Sequence, residues 1–535
     1  MESINPDIWL EPGTPNDLWT KIKVNITNAY ETAFPLRIKR IKKLNPKKPW
    51  IDKEILKEIK LRNLLYKTAK ENSTLDNWKQ YKLQRNRVNT LLNHKKFSYY
   101  QKKFKDSNKN SAFWKPVYNM IGKKRVENKP KLDVSSLCDF FVNAPSKARQ
   151  SIPDVHGDLN QFLGPRIVNS MNLKIVTPDS IKKMIQEMPS KKALGLDKIS
   201  VEMLKLSNNF ICGPLSILFN KILSTGIFPQ EWKTAIVRPI FKGGDKSQLS
   251  NYRPISLLPV ISKLFEKVLH NQMFSFLTSN NVLNKNQHGF RPKHCTKTAL
   301  FNLCNQIYDN MTANRYTFCT ILDLSKAFDL VDHEILCSKL DHYGIRGVAL
   351  EVIRSYLKDR FIMVVNEKED TAKTKMHPVG VPQGSILGPL LYIIFVNDLP
   401  NVNTNSQILL YADDTALINN EYCIQQCLPR IETDLQSLHK WFSMNKLKLN
   451  EAKTTFCIFG TRHMISIVKS SVITLNFSNT LSRAVNELKY LSVILDETLS
   501  FKSHIEKLST RLSKTLGILS NIKHLIPISI KKKHL

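Results

Sequence analysis

Two adjacent aspartates, Asp413 and Asp414, lie between the apolar, β-prone segments 408–412 and 415–418. This pattern predicts a strand, a tight turn and a second strand. Because Asp tolerates turn geometry and bonds its own backbone, the simplest interpretation is a surface hairpin. The alternative is that the strands hold two like charges in place for a divalent cation, since oxygen ligands suit Mg²⁺ and unpaired carboxylates repel each other. A third carboxylate elsewhere in the chain would favour the second interpretation.

Asp323 provides that third carboxylate. It follows the apolar, β-branched segment 316–322 and precedes a helix-like segment at 324–329. An acid at the end of a buried strand is costly unless it is paired or bound to a cation. Together with the Asp413–Asp414 pair it forms a candidate site for two Mg²⁺ or Mn²⁺ ions. Two such ions about 4 Å apart activate a hydroxyl nucleophile and stabilise a leaving pyrophosphate.

A basic hairpin is predicted before these carboxylates. Segment 235–240 alternates like a strand, 242–245 has the composition of a turn, and 251–255 reads as a return strand. Lys242 and Arg253 would lie on one side, where a point charge and a planar fork suit a triphosphate. Surface hairpins also carry Lys and Arg without any such role.

The charge balance indicates a polyanionic partner. The 535 residues include 80 Lys and Arg against 45 acids, a net charge of +35, which favours nucleic acid over a membrane surface. Residues 37–125 hold 27 of the basic residues against 6 acids, a net +21. The longest apolar run, 389–396, is much shorter than the roughly 20 residues of a membrane helix. A soluble nucleic-acid-binding protein is therefore expected.

The cysteines predict no metal or disulfide framework. Nine are scattered along the chain, an odd number that indicates reduced thiols in an intracellular protein. Cys423 and Cys427, with His439 nearby, could be drawn as a zinc site. No second ligand pair follows at a usual spacing, so these residues are interpreted as ordinary helix residues.

Amphipathic helices are predicted in the basic region, where Ile51, Ile55 and Ile59 recur every four residues. Aromatic residues interleave with the charges, a combination that suits backbone neutralisation plus stacking on unpaired bases; the alternative is a core with a solvated face. The run 37–48 is an import signal, a phosphate-contacting arm or a linker. The interleaved aromatic residues are Tyr66, Trp78, Tyr81, Tyr99 and Tyr100.

Further signals concern the segment between these regions. Thr177 and Pro178 predict a helix start, and 201–225 reads as one buried helix. Pro145 falls in a segment that reads as rich in loops. Gly195, among small and basic residues, would allow close approach of the backbone to an anion, although a single glycine is a weak signal.

Several motifs now stand in a fixed order: Asp323 with Phe328 five residues on, 380–389 (GVPQGSILGP) and 411–414 (YADD). Their order and spacing resemble the palm motifs of reverse transcriptases. Segments 251–258 and 395–400 are similar to the non-LTR retrotransposon polymerases, the LINE or jockey-like group, in particular. Telomerase and intron maturases resemble the chain less after Trp232. The resemblance covers roughly residues 180–510.

The resemblance implies an α+β right-hand polymerase. Its parts would be fingers, a palm with an antiparallel sheet and a partial helical thumb, preceded by a basic α-helical region. The expected boundaries are a basic extension at 1–130, a connector at 131–180, fingers and palm at 181–480, and primer grip with partial thumb at 481–535. An endonuclease domain, which such elements often carry ahead of the polymerase, and later thumb segments are expected to be missing.

The resemblance also implies roles for matching residues. Asp323 and Asp413 would bind the catalytic metal ions, and Asp414 would complete the metal site. Phe328 resembles a steric gate below the sugar, where a bulky ring leaves no room for a 2′-OH and so favours dNTPs. Lys453 is a candidate general acid for the departing pyrophosphate.

Other matching residues would hold substrates. Gln383 and Gly384 resemble the loop beside the incoming base, and Lys242 and Arg253 resemble triphosphate contacts. The residues that resemble a primer grip are Tyr490, Leu491 and Ser492.

The chain departs from the family pattern at two places. Ser492 stands where the primer-grip turn usually has Gly, at a cost on the order of 1 kcal/mol if φ is positive. Leu196 and Lys198 stand where Pro and Gly are common. Weaker alignment of the primer is the expected consequence of the first departure.

The implied activity is RNA-directed DNA polymerisation by two-metal phosphoryl transfer. The implied partners are an RNA template, a DNA primer, the RNA–DNA duplex and dNTPs, with an endonuclease partner as a source of the primer nick. The expected location is intracellular, and nuclear at the step of action. The alternative is a catalytically inactive nucleic-acid-binding remnant of a mobile element, which Ser492 and the truncated ends would favour.

Overall fold

The computed structural model describes the following residues: 13–35, 48–105, 110–120, 133–190, 193–365, 372–377, 379–402, 404–468, 473–477 and 480–526. The chain divides into two compact units, Met1–Pro35 with Lys129–His504 and Leu36–Asn128 with Ile505–Leu535. The boundaries expected from the sequence at 130, 180 and 480 stay predictions. Nearly all of the basic run 37–48 lies outside the described residues.

The protein is a mixture of helices and sheets, which confirms the α+β class. Its α-helices are α1 Pro15–Ala33, α2 Lys53–Glu71, α3 Leu75–Lys105, α4 Asn110–Met120, α5 Val134–Gln150, α6 Pro178–Glu187, α7 Val201–Leu206, α8 Asn208–Thr225, α9 Val260–Ser279, α10 Thr296–Thr312, α11 His333–His342, α12 Val348–Leu357, α13 Leu387–Phe395, α14 Ile424–Met444, α15 Arg462–Val468 and α16 Lys502–Ile522. Among the described residues, none of these helices is both long and apolar enough to span a bilayer.

Within the described ranges, the strands form two four-stranded sheets and three smaller pairs. They are β1 Thr234–Phe241, β2 Tyr252–Leu257, β3 Tyr316–Leu322, β4 Leu324–Ser325, β5 Arg360–Val365, β6 Ala372–His377, β7 Gln407–Tyr411, β8 Asp414–Glu421, β9 Lys448–Leu449, β10 Thr455–Phe459, β11 Thr474–Phe477, β12 Thr480–Arg483, β13 Glu487–Tyr490 and β14 Val493–Asp496. The first large sheet has the order β2-β1-β5-β6 and the second has the order β10-β3-β8-β7. The pairs are β4-β9, β11-β12 and β13-β14.

Local capping signals explain several helix boundaries. Thr177 caps α6 by accepting the Ser180 N–H, and Pro178 opens the helix, so the predicted start is confirmed. The prediction of one helix over 201–225 was wrong. Ser207 ends α7 and begins α8, and its hydroxyl donates to the Met203 carbonyl. A serine that bonds nearby backbone in this way competes with continuous helix.

The first large sheet is covered by α5. Strands β1 and β2 form the predicted antiparallel hairpin, and β1 also pairs with β5 in parallel. Leu137 and Phe141 of α5 pack on Val237 and Tyr252 of the sheet. Pro145, predicted to fall in a loop-rich segment, instead lies inside α5. The helix therefore reaches the edge of the cleft described below.

The second large sheet is buried on both faces. Along β3, Phe318 and Leu322 join the main core, whereas Cys319 between them joins a second core beneath α10 and the β13-β14 hairpin. The same alternation continues in β7, β8 and β10, because successive strand residues point to opposite faces. The strand ends are thus fixed from both sides.

A buried ion pair joins α11 to the segment that follows α13. The Lys339 Nζ donates to Asp398 Oδ1 at 2.6 Å and to the Phe395 carbonyl at 2.7 Å. The Trp441 Nε1 donates to the other Asp398 oxygen at 3.1 Å. Lys339 and Asp398 are at most 1% exposed. This network gives segment 395–400 a structural role, joining α11 and α14.

The second unit contains the basic helices. Ile55, Ala69 and Val88 are buried where α2 packs against α3, and Tyr100 and Phe104 of α3 belong to an aromatic core with the end of α16. Tyr100 is therefore a core residue rather than an exposed stacking surface. Tyr66, in contrast, is 45% exposed beside Trp78 and Tyr81.

The buried pair predicts a large loss of stability for Lys339→Met. The variant would leave the Asp398 charge buried without its main partner, at a cost of about 3–5 kcal/mol in the free energy of unfolding. Arg166→Met is the matched control, because the Arg166–Asp341 pair is exposed and should contribute no more than about 1 kcal/mol. Urea denaturation measures both, and equal small losses would contradict the assignment.

Candidate active site

The aspartate pair lies at a tight turn between β7 and β8. Tyr411 pairs with Asp414, so the two turn residues are Ala412 and Asp413, and Asp414 is the first residue of β8. The hairpin is as predicted, with the turn one residue earlier than the aspartate pair. Ala412 has a φ of +57°, a left-handed conformation uncommon for a residue with a Cβ.

The third carboxylate is set beside the turn by strand register. Leu322 at the end of β3 pairs with Thr415 in the antiparallel ladder. One step further along the same register, Asp323 faces Asp414. Three carboxylates from two distant parts of the sequence are therefore brought to one end of the sheet.

The carboxylates oppose one another electrostatically. Burial raises the pKa of Asp414 to about 6, and the charges of Asp413 and Asp323 add to this rise. Burial also raises the pKa of Asp413, again with a contribution from Asp323. A divalent cation would relieve this repulsion, so the donor chemistry fits Mg²⁺ or Mn²⁺.

Asp323 already has two protein partners. Its Oδ2 accepts a hydrogen bond from Asn450 Nδ2 at 3.0 Å and lies 3.4 Å from Lys453 Nζ. The Asn450 backbone N–H also donates to the Asp323 carbonyl at 2.8 Å. Within the described ranges, no three His, Cys, Asp or Glu side chains are grouped as a ready-made ligand set. A cation would therefore compete with Asn450 and Lys453 for Asp323.

A cleft of about 660 Å³ opens over these groups. A second cleft of about 530 Å³ shares Asp323 and Lys453 with the first and is also lined by Asp414. The first cleft brings together the following predicted residues: Lys242, Arg253, Asp323, Phe328, Gln383, Gly384, Asp413 and Lys453. Its volume is in the range of small-molecule sites.

Cationic side chains surround the first cleft. Burial lowers the pKa of Lys242, and the nearby Arg253 charge lowers it further. Lys326, which has no signal of its own in the sequence, also lines the cleft, and its Nζ lies 4.7 Å from the centre of the Phe140 ring. Like-charge crowding at a partly buried site favours an anionic ligand. Phe140 belongs to α5, and no local sequence pattern indicates that this helix packs beside the cleft.

Phe328 is held between two aromatic rings. It stacks on Tyr392 with ring centres 4.5 Å apart, and Phe290 meets it edge-on at 6.1 Å. Tyr392 is fully buried. Phe328 therefore has little freedom to swing out of the cleft.

The loop with Gln383 and Gly384 is fixed by its neighbours. Gln383 Nε2 donates to Asp329 Oδ1 at 2.8 Å, and the Gln383 carbonyl accepts the Ser256 N–H at 2.8 Å. Gly384 has a φ of +109°, and an added Cβ would lie 2.7 Å from the Ser256 carbonyl oxygen. Glycine is thus needed here for close approach to β2. Asp329, adjacent to Phe328 in sequence, was missed.

The predicted primer-grip residues separate in the fold. Leu491 and Ser492 form the turn of the β13-β14 hairpin and line the second cleft with Asp414. Their φ values are +46° and +71°, so Ser492 occupies a conformation that glycine adopts more easily. Tyr490 is 1% exposed and belongs to the core below.

Two weaker sequence signals prove structural. An added Cβ at Gly195 would lie 2.6 Å from the Pro259 nitrogen, so this glycine permits packing of two backbone segments rather than approach of an anion. Cys427 is buried in α14, and its Sγ donates to Asn419 Oδ1 at 3.0 Å. All nine cysteines are free thiols.

Comparison with known proteins bears on the same region. Residues 242–495 match the family model described as Reverse transcriptase (RNA-dependent DNA polymerase). The chain is 31% identical over 356 residues to a probable RNA-directed DNA polymerase from transposon BS of Drosophila melanogaster, and 30% identical over 357 residues to the RNA-directed DNA polymerase from mobile element jockey of the same species. These alignments cover 64% and 65% of this chain and 38% of each relative. A 28% match over 385 residues to the probable polymerase of the X-element covers 70% of this chain and 41% of that relative.

Residues 242–495 are therefore a reverse transcriptase domain, which supplies most of the cleft lining, while Phe140, Phe141 and Pro145 of α5 complete it. The matched relatives include the polymerases of jockey, transposon BS and the X-element, so this domain is similar to the jockey-like group that the motifs resemble. The resemblance inferred from the motifs is confirmed. The chain spans about 38% of the length of the first two relatives.

The raised pKa of Asp414 predicts a pH-dependent gain in stability for Asp414→Asn. An ionised Asp414 destabilises the metal-free fold above about pH 6, and wild type recovers this stability as pH falls towards the ordinary pKa of 3.8. The free energy of unfolding of the variant should therefore exceed that of wild type by about 1–3 kcal/mol near pH 8. Near pH 4 the two values should be nearly equal.

Urea denaturation of chelator-treated protein at the two pH values measures this difference. Glu202→Gln, on an exposed position of α7, is the control and should change little at either pH. A variant less stable than wild type near pH 8 would contradict the assigned repulsion.

Proposed function

We propose that this protein is an RNA-directed DNA polymerase that adds dNTPs to a primer 3′-OH by two-metal phosphoryl transfer. One observation carries the proposal: a single cleft is lined by Asp323 and Asp413, by a confined aromatic ring and by several cations. Carboxylates that can bind metal ions, together with cations that line the same cleft, suit a metal-bound triphosphate. The aromatic ring in the same cleft suits a sugar.

Each residue then has a role that its position supports. Two Mg²⁺ ions, held by Asp323, Asp413 and Asp414, would supply activation of the hydroxyl and neutralisation of phosphate charge. Lys453, 3.4 Å from Asp323, would donate a proton to the departing pyrophosphate. Phe328 would exclude ribonucleotides.

The remaining assignments extend the same proposal. Lys242, Arg253 and Lys326 would hold the triphosphate, and the Leu491–Ser492 turn would support the primer end beside Asp414. In right-hand terms, the β2-β1-β5-β6 sheet would belong to the fingers, the β10-β3-β8-β7 sheet to the palm, and α16 to a thumb.

The proposed partners are an RNA template, a DNA primer, their duplex and dNTPs. The basic helices α2 and α3, with Tyr66 exposed among lysines, would contribute to RNA binding through phosphate neutralisation and stacking. An endonuclease partner that supplies the primer nick and a nuclear site of action stay predictions.

Primer extension on an RNA template with dNTPs and Mg²⁺ tests the activity. Wild type should extend the primer, and Asp413→Asn should reduce the rate about a thousandfold, because loss of one charged ligand removes several kcal/mol of transition-state stabilisation. Thermal denaturation should show that the variant is folded. Salt-dependent RNA binding without extension by wild type would favour the inactive remnant instead.

Phe328→Ala tests the sugar gate separately. Removing the ring opens space for a 2′-OH, so the preference for dNTP over rNTP, measured as the ratio of kcat/KM values, should fall about tenfold or more. Phe301→Ala is the matched control, because this phenylalanine is 72% exposed on α10. An unchanged ratio in Phe328→Ala would reject the assignment while leaving polymerisation intact.

A further inference from the structure

A loop at 284–291 lies directly against the aspartate turn. The Leu410 N–H donates to the Asn286 carbonyl at 3.0 Å, and the His288 N–H donates to the Leu410 carbonyl at 2.8 Å. Gln287 and Leu410 thus form a parallel bridge beside β7. The loop therefore pairs along the edge of the strand that leads into the turn.

The Gln287 side chain closes this contact. It is 1% exposed, and its Oε1 accepts the Ala412 N–H at 3.0 Å and the Gly289 N–H at 2.7 Å. Because both donors are backbone N–H groups, only the amide oxygen can serve them. The orientation of the Gln287 amide is therefore chemically determined.

The contact is made to Ala412, the turn residue with a positive φ. Ala412 has a left-handed backbone and immediately precedes Asp413. Such a conformation persists when surrounding contacts determine it. Gly289 adds a close approach, since a Cβ there would lie 2.3 Å from the Ala412 nitrogen.

The other end of the loop reaches the aromatic gate. Phe290 meets Phe328 edge-on. Arg291 Nη1 donates to the Asn284 and Gln287 carbonyls at 2.7 and 3.2 Å, which closes the loop on itself. One rigid segment therefore touches both the carboxylate turn and the gate.

We propose that Gln287 is a positioning residue for nucleotide addition. Through the Ala412 N–H it holds the turn in the backbone conformation that directs Asp413 and Asp414 towards the metal ions. This inference rests on the proposed polymerase function, because the turn needs its geometry only if the carboxylates act together. Gln287 itself need not touch substrate.

Gln287→Met tests the proposal, since it keeps length and burial but removes the acceptor. We expect kcat for primer extension to fall about 10- to 100-fold, as for a small misplacement of reacting groups. The Mg²⁺ concentration for half-maximal extension should rise, and the rise in melting temperature produced by Mn²⁺ should shrink. Binding of the RNA–primer duplex should be unchanged.

Asn220→Leu is the matched control. Asn220 bonds both the N–H and the carbonyl of Val176, so its loss also removes an amide contact to backbone, but it lines neither cleft. The control should lower the melting temperature and leave kcat, Mg²⁺ demand and the Mn²⁺ effect unchanged. The proposal would be overturned if Gln287→Met, like this control, left kcat, Mg²⁺ demand and the Mn²⁺ effect unchanged.

Gln287→Asn provides a second test in case the methionine variant does not fold. It keeps an amide but is one methylene shorter, so it cannot reach both N–H groups in the same backbone geometry. The same three changes are expected, and wild-type values in all three would again overturn the positioning role. If wild type does not extend a primer, the proposed function fails instead, while the Mn²⁺ effect on melting still tests the link between Gln287 and the carboxylates.

Discussion

Repulsion among three carboxylates is the constraint around which this domain is organised. The pairing of β3 with β8 brings Asp323, just after β3, close to Asp414 at the start of β8, and the β7-β8 turn adds Asp413. Left to themselves these charges would separate or take up protons, as the raised pKa of Asp414 indicates. The sheet prevents separation because packing on both faces fixes its strand ends.

The surroundings of the carboxylates follow from the same constraint. Lys453 and Asn450 share Asp323, which partly offsets its charge without neutralising the other two. Lys242 and Lys326 line the same cleft, and burial lowers the pKa of both side chains. An anionic ligand that carries metal ions would satisfy both the carboxylates and the lysines.

The sequence predicted the parts of this site that local chemistry determines. A tight hairpin turn, a strand that leads into Asp323 and a basic hairpin each have a short-range signature, and the structure contains all three. The sequence could not reveal contacts between segments that are distant along the chain. Asp329 holds Gln383 through a side-chain hydrogen bond, and Gln287 caps a turn more than 120 residues away. Neither contact has a periodic or turn signal.

Binding of Mn²⁺, followed by electron paramagnetic resonance, tests the central claim most directly. If the three carboxylates form one cation site, wild type should bind Mn²⁺ in competition with Mg²⁺, and Asp323→Asn should weaken binding as Asp413→Asn does, although the two residues are 90 positions apart. Both variants should remain folded by circular dichroism. Mn²⁺ affinity that is unchanged in either folded variant would contradict the account.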